Sequence, residues 1–119
     1  MDIHDIGLGV DCVEVSRFQS LRDKFLKRTF TKKERDYCAG KPKPAQHYAV
    51  RFAGKEAVIK ALYPFGVTLD VSKIEIINEK SGEPTVRISG DFEDTYNIKI
   101  SLSHSEHLAI AMVNVIKLK

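Results

Sequence analysis

The chain lacks most of the features that mark membrane, secreted and zinc-binding proteins. Its 119 residues include two cysteines and no tryptophan, and no window approaches the roughly 18 consecutive apolar residues of a membrane span. The N-terminus has no basic segment followed by an apolar one, as a secretory signal would. Cys12 and Cys38 have neither zinc-ligand spacing nor a disulfide-rich pattern. We therefore expect a single domain over residues 1–119, with reduced thiols, a cytoplasmic location and no membrane partner.

Acidic residues are scarce in one stretch, although the net charge of the whole chain is only +3. Residues 17–43 hold ten lysines and arginines against three acids, whereas the other 92 residues hold nine basic and thirteen acidic residues. This asymmetry predicts a surface for an acidic partner, although a solvated helical face carries the same pattern. An acidic protein and a nucleic acid both fit, but the stretch has no zinc signature or stacking-aromatic motif of a known nucleic-acid reader.

The hydrophobic pattern predicts an α+β domain whose mainly antiparallel sheet packs against a long central helix. Strands are expected at 6–15, 71–77, 85–89, 98–104 and 108–116, the last two joined in a hairpin across 105–107. Helices are expected at 16–28 with Ser16 as N-cap, at 31–38 with a Thr31–Glu34 capping box, at 45–63, and as a turn at 92–96.

The most informative stretch is RFAGKEAVIKA, residues 51–61, in the predicted central helix. On a helix its surroundings form one apolar arc, made of Ala49, Phe52, Ala53, Ala57, Ile59 and Tyr63. Glu56 and Lys60 fall inside this arc, one turn apart. Charges directed toward a core need a partner, a metal or a ligand, because an uncompensated buried charge is costly. An ordinary surface ion pair has the same i,i+4 spacing, so the stretch alone leaves both interpretations open.

Two polar features in the predicted strands strengthen the functional interpretation. Asp11 shares its strand face with Gly7 and Gly9, where another backbone or a ligand can approach closely. Carboxylates from two elements, Asp11 and Glu56, suit Mg²⁺, which keeps several waters and is often completed by substrate phosphates. Lys60, one turn beyond Glu56, is suited to the same phosphates. Asp11 could equally cap a turn or pair with a local lysine.

The histidines divide into one candidate and three others. His104 lies between Ser103 and Ser105, and this trio suits a phosphate ligand, although a structural histidine at a strand end is the more common case. The remaining histidines have no partner pattern and are expected at the surface; they are His4, His47 and His107. The chain has no GxxxxGK(S/T) or GxGxxG loop, so a phosphate would not be held by a standard glycine loop.

Several segments together resemble the small holo-acyl-carrier-protein synthase type of 4′-phosphopantetheinyl transferase. The segments are IGLGVDCVEVSRF, RxFT followed by Glu34, RFAGKEAVIKA, SGEP and IKISLSHSEHLAIAMV. The resemblance covers nearly the whole chain in the right order. It implies a Mg²⁺-dependent enzyme that moves 4′-phosphopantetheine from coenzyme A to a serine of an acidic apo-acyl carrier protein, releasing adenosine 3′,5′-bisphosphate. It also implies a homotrimer with sites between protomers, and it argues against nucleic acid as partner.

The resemblance implies roles for individual residues. Asp11 and Glu56 would ligate Mg²⁺, and Lys60 would contact phosphate during the transfer; the general base stays open between Glu56, Asp11 and a metal-bound water. The nucleotide would be held by Arg51, Gly82, Pro84, Ser103, His104 and Ser105, together with Lys60. The carrier protein would dock on Arg17, Arg22 and Lys24.

Two departures from the family pattern are visible. Residues 63–66 replace a Gly-Thr-Gly-like turn, and Gly54 replaces a more usual alanine at a cost of roughly 1 kcal/mol in helix propensity. Two other functions remain open from the residues: a non-catalytic basic module that binds nucleic acid or an acidic protein, and a Mg²⁺-dependent nucleotide hydrolase.

Overall fold

The computed structural model describes residues 5–118 and has the α+β architecture expected from the sequence. The strands are β1 (Ile6–Glu14), β2 (Ile74–Asn78), β3 (Pro84–Ile88), β4 (Tyr96–His104) and β5 (Leu108–Lys117). The α-helices are α1 (Asp23–Thr29), α2 (Lys32–Ala39), α3 (Pro44–Leu62) and α4 (Phe92–Thr95), and 3₁₀ turns occur at Val15–Phe18, Tyr63–Phe65 and Val71–Lys73. Antiparallel pairing gives a three-stranded sheet, β1-β5-β4, and a separate β2–β3 hairpin. The predicted fold class is confirmed.

Helix α3 lies directly on the three-stranded sheet because small residues line both surfaces. Its sheet-facing side is built from Ala53, Ala57 and Ala61, which are fully buried. On β1, a β-carbon at Gly9 would lie 1.9 Å from the carbonyl oxygen of Ala57, and one at Gly7 would lie 2.1 Å from that of Ala61. The close approach predicted at the two glycines is therefore made by the helix backbone. No helix in residues 5–118 is long and apolar enough to cross a membrane.

The second surface of α3 contacts the β2–β3 hairpin, which explains Gly54. A β-carbon at Gly54 would lie 2.4 Å from Cδ1 of Ile76, with Ile100 and Leu102 also within 3.3 Å. The position is therefore filled by its neighbours, and glycine there has a packing reason that offsets its low helix propensity. The predicted apolar arc is wrong at Tyr63, which is 71% exposed because α3 ends at Leu62 and a 3₁₀ turn follows.

Two predicted elements differ from the structure. The predicted helix at 16–28 is divided: Val15–Phe18 forms a 3₁₀ turn whose N-cap is Glu14 rather than Ser16, and α1 begins only at Asp23. Phe18 packs against Phe52 of α3, with ring centroids 5.4 Å apart, and this contact holds the chain in a separate 3₁₀ turn although the apolar spacing is that of one continuous helix. The predicted strand at 71–77 begins late because the Asp70 side chain accepts a hydrogen bond from the Ser72 N–H and caps a 3₁₀ turn.

The sheet has one covered and one uncovered face. The apolar residues and glycines of β1 and β5 that face α3 are buried, whereas large apolar side chains on the other face are exposed: Leu8, Val10, Leu108, Ile110 and Met112. We call this second surface the outer face. The alternation agrees with the two faces predicted for β1.

Candidate active site

Asp11 and Lys60 meet where β1 passes under α3. Lys60 Nζ lies 3.0 Å from Asp11 Oδ1 and also donates to the Val10 carbonyl oxygen at 3.0 Å. The Asp11 side chain is 18% exposed and that of Lys60 is 52% exposed, so the pair lies at a rim open to solvent. Contact between Gly9 and Ala57 sets the register that brings these side chains together.

Glu56 lies one turn before Lys60 on α3, on the same flank of the helix. Helical side chains lean toward the N-terminus of their helix, so Lys60 reaches back along the flank that carries Glu56. Glu56 is half-buried at the edge of the apolar arc, and Lys60 is exposed there. The sequence-based expectation that both charges point into the core is wrong for Lys60, which is exposed, whereas Glu56 is half-buried beside the fully buried alanine stripe. Asp11 and Lys60 are in contact, and Glu56 lies one helical turn before Lys60 on α3; we call these three residues the rim cluster.

The rim cluster fits a magnesium ion better than a transition metal. Within residues 5–118 no three His, Cys, Asp or Glu side chains converge as a metal-binding group. Mg²⁺ is often held by only one or two carboxylates, with waters and substrate phosphates as its other ligands. Asp11 and Glu56 supply that kind of donor set, at a site with access to solvent.

A second polar cluster lies near the start of α3, around Arg51. Arg51 is 2% exposed and donates to the His47 carbonyl oxygen at 3.3 Å and to the Asn78 side-chain oxygen. Its guanidinium lies over the Tyr37 ring at 4.1 Å, and its Nε has no hydrogen-bond partner among the described atoms. A buried cation with a free donor is suited to an anionic ligand.

His104 belongs to this second cluster through His47. Their ring centroids are 5.3 Å apart with an edge-on geometry. Burial, then the charges of His104, Arg51 and Lys41, lower the pKa of His47. The expectation that His47 is an ordinary surface residue is wrong, because the β4 end folds back onto α3. His107 is exposed as expected, whereas His4 lies outside the described residues.

The other predicted nucleotide residues lie around the same end of the molecule. Ser103 is paired with Ile110 and lies on the outer face, opposite to His104. Ser105 Oγ accepts hydrogen bonds from the N–H groups of His107 and Leu108, so it shapes the predicted hairpin turn. Gly82, at φ 91°, lies in the turn of the β2–β3 hairpin, where its carbonyl accepts from Asn78, and Pro84 is the first residue of β3 after that turn.

The two clusters lie on opposite flanks of α3. At 100° per residue, Glu56 and Lys60 point roughly 140° to 180° away from Arg51 around the helix axis. In the sheet, Asp11 on β1 and His104 on β4 are separated by β5, and two strand spacings amount to roughly 10 Å. One copy of the chain therefore presents two separate polar clusters.

The basic segment, residues 17–43, keeps most of its positive charge free. Its three acids pair with Lys27, Lys32 and Lys55. Arg17, Arg22 and Lys24 are exposed and have no carboxylate partner among the residues described. Beside them lies an open groove of about 450 Å³ between α1 and the start of α3, whose lining combines apolar residues such as Phe18, Leu21 and Leu26 with polar ones such as Gln19, Lys43 and Glu106.

The feature that sequence reasoning missed is a buried ion pair. Lys55 Nζ lies 2.7 Å from Glu34 Oε1, and neither side chain is exposed. Burial lowers the pKa of Lys55, and the Glu34 carboxylate opposes that change. The sequence signal for Glu34 is the predicted capping box, which the structure confirms: Glu34 accepts a hydrogen bond from the Thr31 N–H at 2.9 Å. The capping box does not predict that the same carboxylate also pairs with Lys55. The neighbouring Cys38 is a free, buried thiol whose pKa burial raises to about 12.

Comparison with known proteins agrees with this geometry. A family model of the 4′-phosphopantetheinyl transferase superfamily matches residues 7–113. A holo-(acyl-carrier-protein) synthase of Geotalea daltonii is 40% identical over 119 residues, covering 90% of this chain and 94% of the relative. The structure of a holo-(acyl-carrier-protein) synthase from Bacillus anthracis in complex with CoA (3′,5′-ADP) is 31% identical with a TM-score of 0.78, covering 95% and 96% of the two chains. A Helicobacter pylori synthase in complex with coenzyme A is 28% identical with a TM-score of 0.76, covering 93% and 99%.

The fold, shared with these synthases, is that of a phosphopantetheinyl transferase domain, and it carries two separate polar clusters. The chain belongs to the 4′-phosphopantetheinyl transferase superfamily. The family resemblance recognised in the sequence is confirmed, and its relatives are holo-(acyl-carrier-protein) synthases.

Proposed function

We propose that this chain transfers the 4′-phosphopantetheine group from coenzyme A to a serine of an apo-acyl carrier protein. The observation that carries the proposal is the rim cluster: two carboxylates and a lysine on adjacent elements, with Lys60 Nζ 3.0 Å from Asp11 Oδ1. The relatives named above are synthases of this type, and two of the related structures hold coenzyme A or its nucleotide. The choice of coenzyme A as substrate therefore rests on the family, and the choice of the rim cluster as the place of reaction rests on the geometry.

Asp11 and Glu56 are the residues that would hold Mg²⁺ in this enzyme. When bound, the ion would neutralise negative charge on the pyrophosphate of coenzyme A. The preference of Mg²⁺ for oxygen ligands supports this assignment, as does the open rim, which leaves room for water and phosphate.

Lys60 stabilises the charge that develops during transfer. The hydroxyl oxygen of the carrier serine bonds to the β-phosphorus while the bond from that phosphorus to the bridging oxygen breaks. Adenosine 3′,5′-bisphosphate leaves, and the serine proton passes to a base at the rim. The Lys60 side chain is long and half-exposed, so its ammonium group can stay close to the phosphate oxygens while the bond is transferred.

A substitution series at the rim tests the assignment. Asp11→Asn and Glu56→Gln remove one charge each and keep the side-chain shape, and we expect each to lower kcat/KM by about 10²- to 10³-fold. Titration calorimetry with Mn²⁺ and coenzyme A should find weaker metal binding in both variants. Glu93→Gln, an exposed carboxylate on α4, is the control and should match the wild type. Wild-type activity in either rim variant at saturating Mg²⁺ would refute the assignment.

The second cluster holds the nucleotide in this account. Arg51 offers a cation, His104 an exposed imidazole, and the hairpin end with Gly82 and Pro84 a backbone edge, to an anionic, planar ligand. Loss of this cluster should raise the KM for coenzyme A more than it lowers kcat.

The acidic carrier protein docks on the basic segment. The segment has three exposed cations beside the groove: Arg17, Arg22 and Lys24. One surface therefore offers positive charge to an acidic partner together with the apolar side chains of the groove. Arg17→Glu and Arg22→Glu should raise the KM for the carrier and leave that for coenzyme A unchanged. Lys117→Glu, at the far end of β5, is the charge-reversal control. Equal loss of carrier and coenzyme A binding would count against the docking assignment.

The active enzyme is a trimer in which neighbouring copies complete each site. The outer face supports this: Leu8, Val10 and Met112 are 65%, 56% and 53% exposed and form a contiguous apolar surface with Leu108 and Ile110. Large exposed apolar patches are typical of interfaces. The positions of the two clusters on opposite flanks of α3 also support it, because a nucleotide held at Arg51 of one copy would then extend to the rim cluster of a neighbouring copy.

Mixing two inactive variants tests the shared site. Asp11→Asn damages the rim cluster and His104→Ala damages the nucleotide cluster, so co-refolded mixtures contain some sites built from two intact halves. In a 1:1 mixture about a quarter of shared sites are fully intact, since each half is intact in one copy of two. Recovery toward that fraction supports the shared site, and analytical ultracentrifugation should report a trimer. No recovery in a mixed trimer would contradict it.

A further inference from the structure

The free edge of strand β2 is closed by side chains instead of by another strand. β2 pairs on one edge with β3, from Ile74↔Ile88 to Asn78↔Pro84. On the other edge, the Ile74 carbonyl oxygen accepts a hydrogen bond from Lys55 Nζ, and the Ile76 N–H donates to Glu34 Oε2 at 2.9 Å. These two backbone groups flank Glu75 and would otherwise be unpaired in the core.

The Lys55–Glu34 ion pair has the hydrogen-bonding pattern of one residue in a parallel strand. Such a residue donates its N–H to one carbonyl and accepts from the N–H two positions further along the neighbouring strand. Lys55 is the donor and Glu34 the acceptor of this pattern, and they are joined at 2.7 Å. Lys55 also donates to the Val71 carbonyl oxygen at 3.2 Å, so its three ammonium protons all have partners.

The same helix face holds the other end of the hairpin. Arg51, one turn before Lys55, contacts the Asn78 side chain, and Asn78 Nδ2 donates to the Gly82 carbonyl oxygen at 3.0 Å. Between these two attachments, Gly54 lets Ile76 pack against the helix. The hairpin is therefore fixed to α3 at Ile74, Ile76 and Asn78, with the Gly82–Pro84 turn beyond.

We propose that Lys55 and Glu34 are positioning residues for nucleotide binding: they fix the β2–β3 hairpin on α3 so that its Gly82–Pro84 turn meets the nucleotide held at Arg51. This inference rests on the proposed function, in which that turn borders the nucleotide. Neither residue touches substrate. Their effect passes through the register of β2 on the helix that also carries the rim cluster.

The test is the double variant E34L/K55M, which replaces both charges with apolar side chains of similar size. Removing both partners avoids the unpaired buried charge that a single substitution would leave. We expect a folded protein whose KM for coenzyme A rises about tenfold while kcat at saturation changes less than about twofold. The KM for the carrier protein should stay unchanged. Lys73→Met, which removes an exposed lysine beside the same strand, is the matched control.

Hydrogen exchange at the Ile76 amide supplies a readout independent of activity. In the wild type this N–H is bonded to a buried carboxylate, and in the double variant its exchange should accelerate more than about tenfold relative to the core amide of Val113. A folded double variant with a wild-type KM for coenzyme A, or with unchanged Ile76 exchange, would overturn the proposal.

A second variant, Glu34→Gln, tests the proposal if the double variant does not fold. Glu34→Gln keeps an acceptor for the Ile76 N–H but removes the charge that holds Lys55, and we expect about a threefold rise in the KM for coenzyme A. An unchanged KM in folded Glu34→Gln would also overturn the proposal. Absence of transfer by the wild type would defeat the proposed function, and the Ile76 exchange comparison would still decide whether the ion pair holds the hairpin.

Discussion

Adding one methyl group at Gly9 should separate the helix from the strand and disable the rim cluster. The Gly9→Ala β-carbon would lie 1.9 Å from the Ala57 carbonyl oxygen, and ordinary contacts begin at 3.4 Å. Helix α3 must therefore retreat from β1 by about 1.5 Å. Neither side can yield by a rotamer change, because the opposing atom belongs to the helix backbone.

The cost of this retreat follows from packing and from positioning. Overpacking a close-packed core typically costs about 1–3 kcal/mol, and this contact lies at the upper end because backbone must move. The 3.0 Å contact between Lys60 and Asp11 would lengthen beyond hydrogen-bonding range. Since a displacement of about 1 Å at a reacting centre can cost about 10²-fold in rate, we expect a loss of that order in kcat/KM.

The assay combines urea unfolding with steady-state transfer kinetics. Gly40→Ala is the matched control: its β-carbon meets nothing closer than 3.5 Å, and its φ of −80° suits alanine. The control should be as stable as the wild type or more stable by up to about 1 kcal/mol. A Gly9→Ala protein with wild-type stability and activity would refute the packing argument.

Three further predictions concern packing and titration. Gly54→Ala should cost about 1 kcal/mol in urea unfolding because its methyl meets Cδ1 of Ile76, and Ile76→Val in the same chain should recover most of the loss; a single variant more stable than the wild type would contradict this. The pKa of Cys38 is raised by burial to about 12 from 9.0, so its contribution to stability is complete below pH 9 and is lost as pH rises toward 12. Cys38→Ala should therefore lose less stability than the wild type between pH 9 and about 11, and equal slopes would contradict it. The pKa of His47 is lowered from 6.5, so its contribution is present above pH 6.5 and is lost on acidification. Thermal unfolding of His47→Gln should then be less sensitive to a change from pH 7 to about pH 5, and equal sensitivity would contradict it.

Local patterns in the sequence predict much of this fold. The alternation along β1 identifies both its faces, and the Thr31–Glu34 spacing identifies the capping box, because each depends on residues within one turn or one strand. The hairpin at Ser105 is local in the same sense. Asp11 and Lys60 were assigned to one site from their types and the family resemblance, and they lie in contact.

Contacts between distant segments were not predictable in the same way. Lys55 lies beside Glu56 in the most informative stretch, yet its partner Glu34 is 21 positions away and its role depends on where β2 docks. His47 has no sequence signal, because its neighbour His104 is brought in by the return of β4. Such pairings are set by tertiary packing, which the periodicity of a single segment does not encode.

Transfer of phosphopantetheine to a carrier protein can be measured directly. The wild-type chain is incubated with coenzyme A, Mg²⁺ and an apo-acyl carrier protein, and the mass of the carrier is determined by mass spectrometry. The carrier serine should gain the mass of one phosphopantetheine, with adenosine 3′,5′-bisphosphate released in equal amount. The gain should vanish with EDTA and fall steeply in Glu56→Gln. Release of phosphopantetheine to water without a carrier would identify a hydrolase instead, and an unmodified carrier across several acyl carrier proteins would contradict the account.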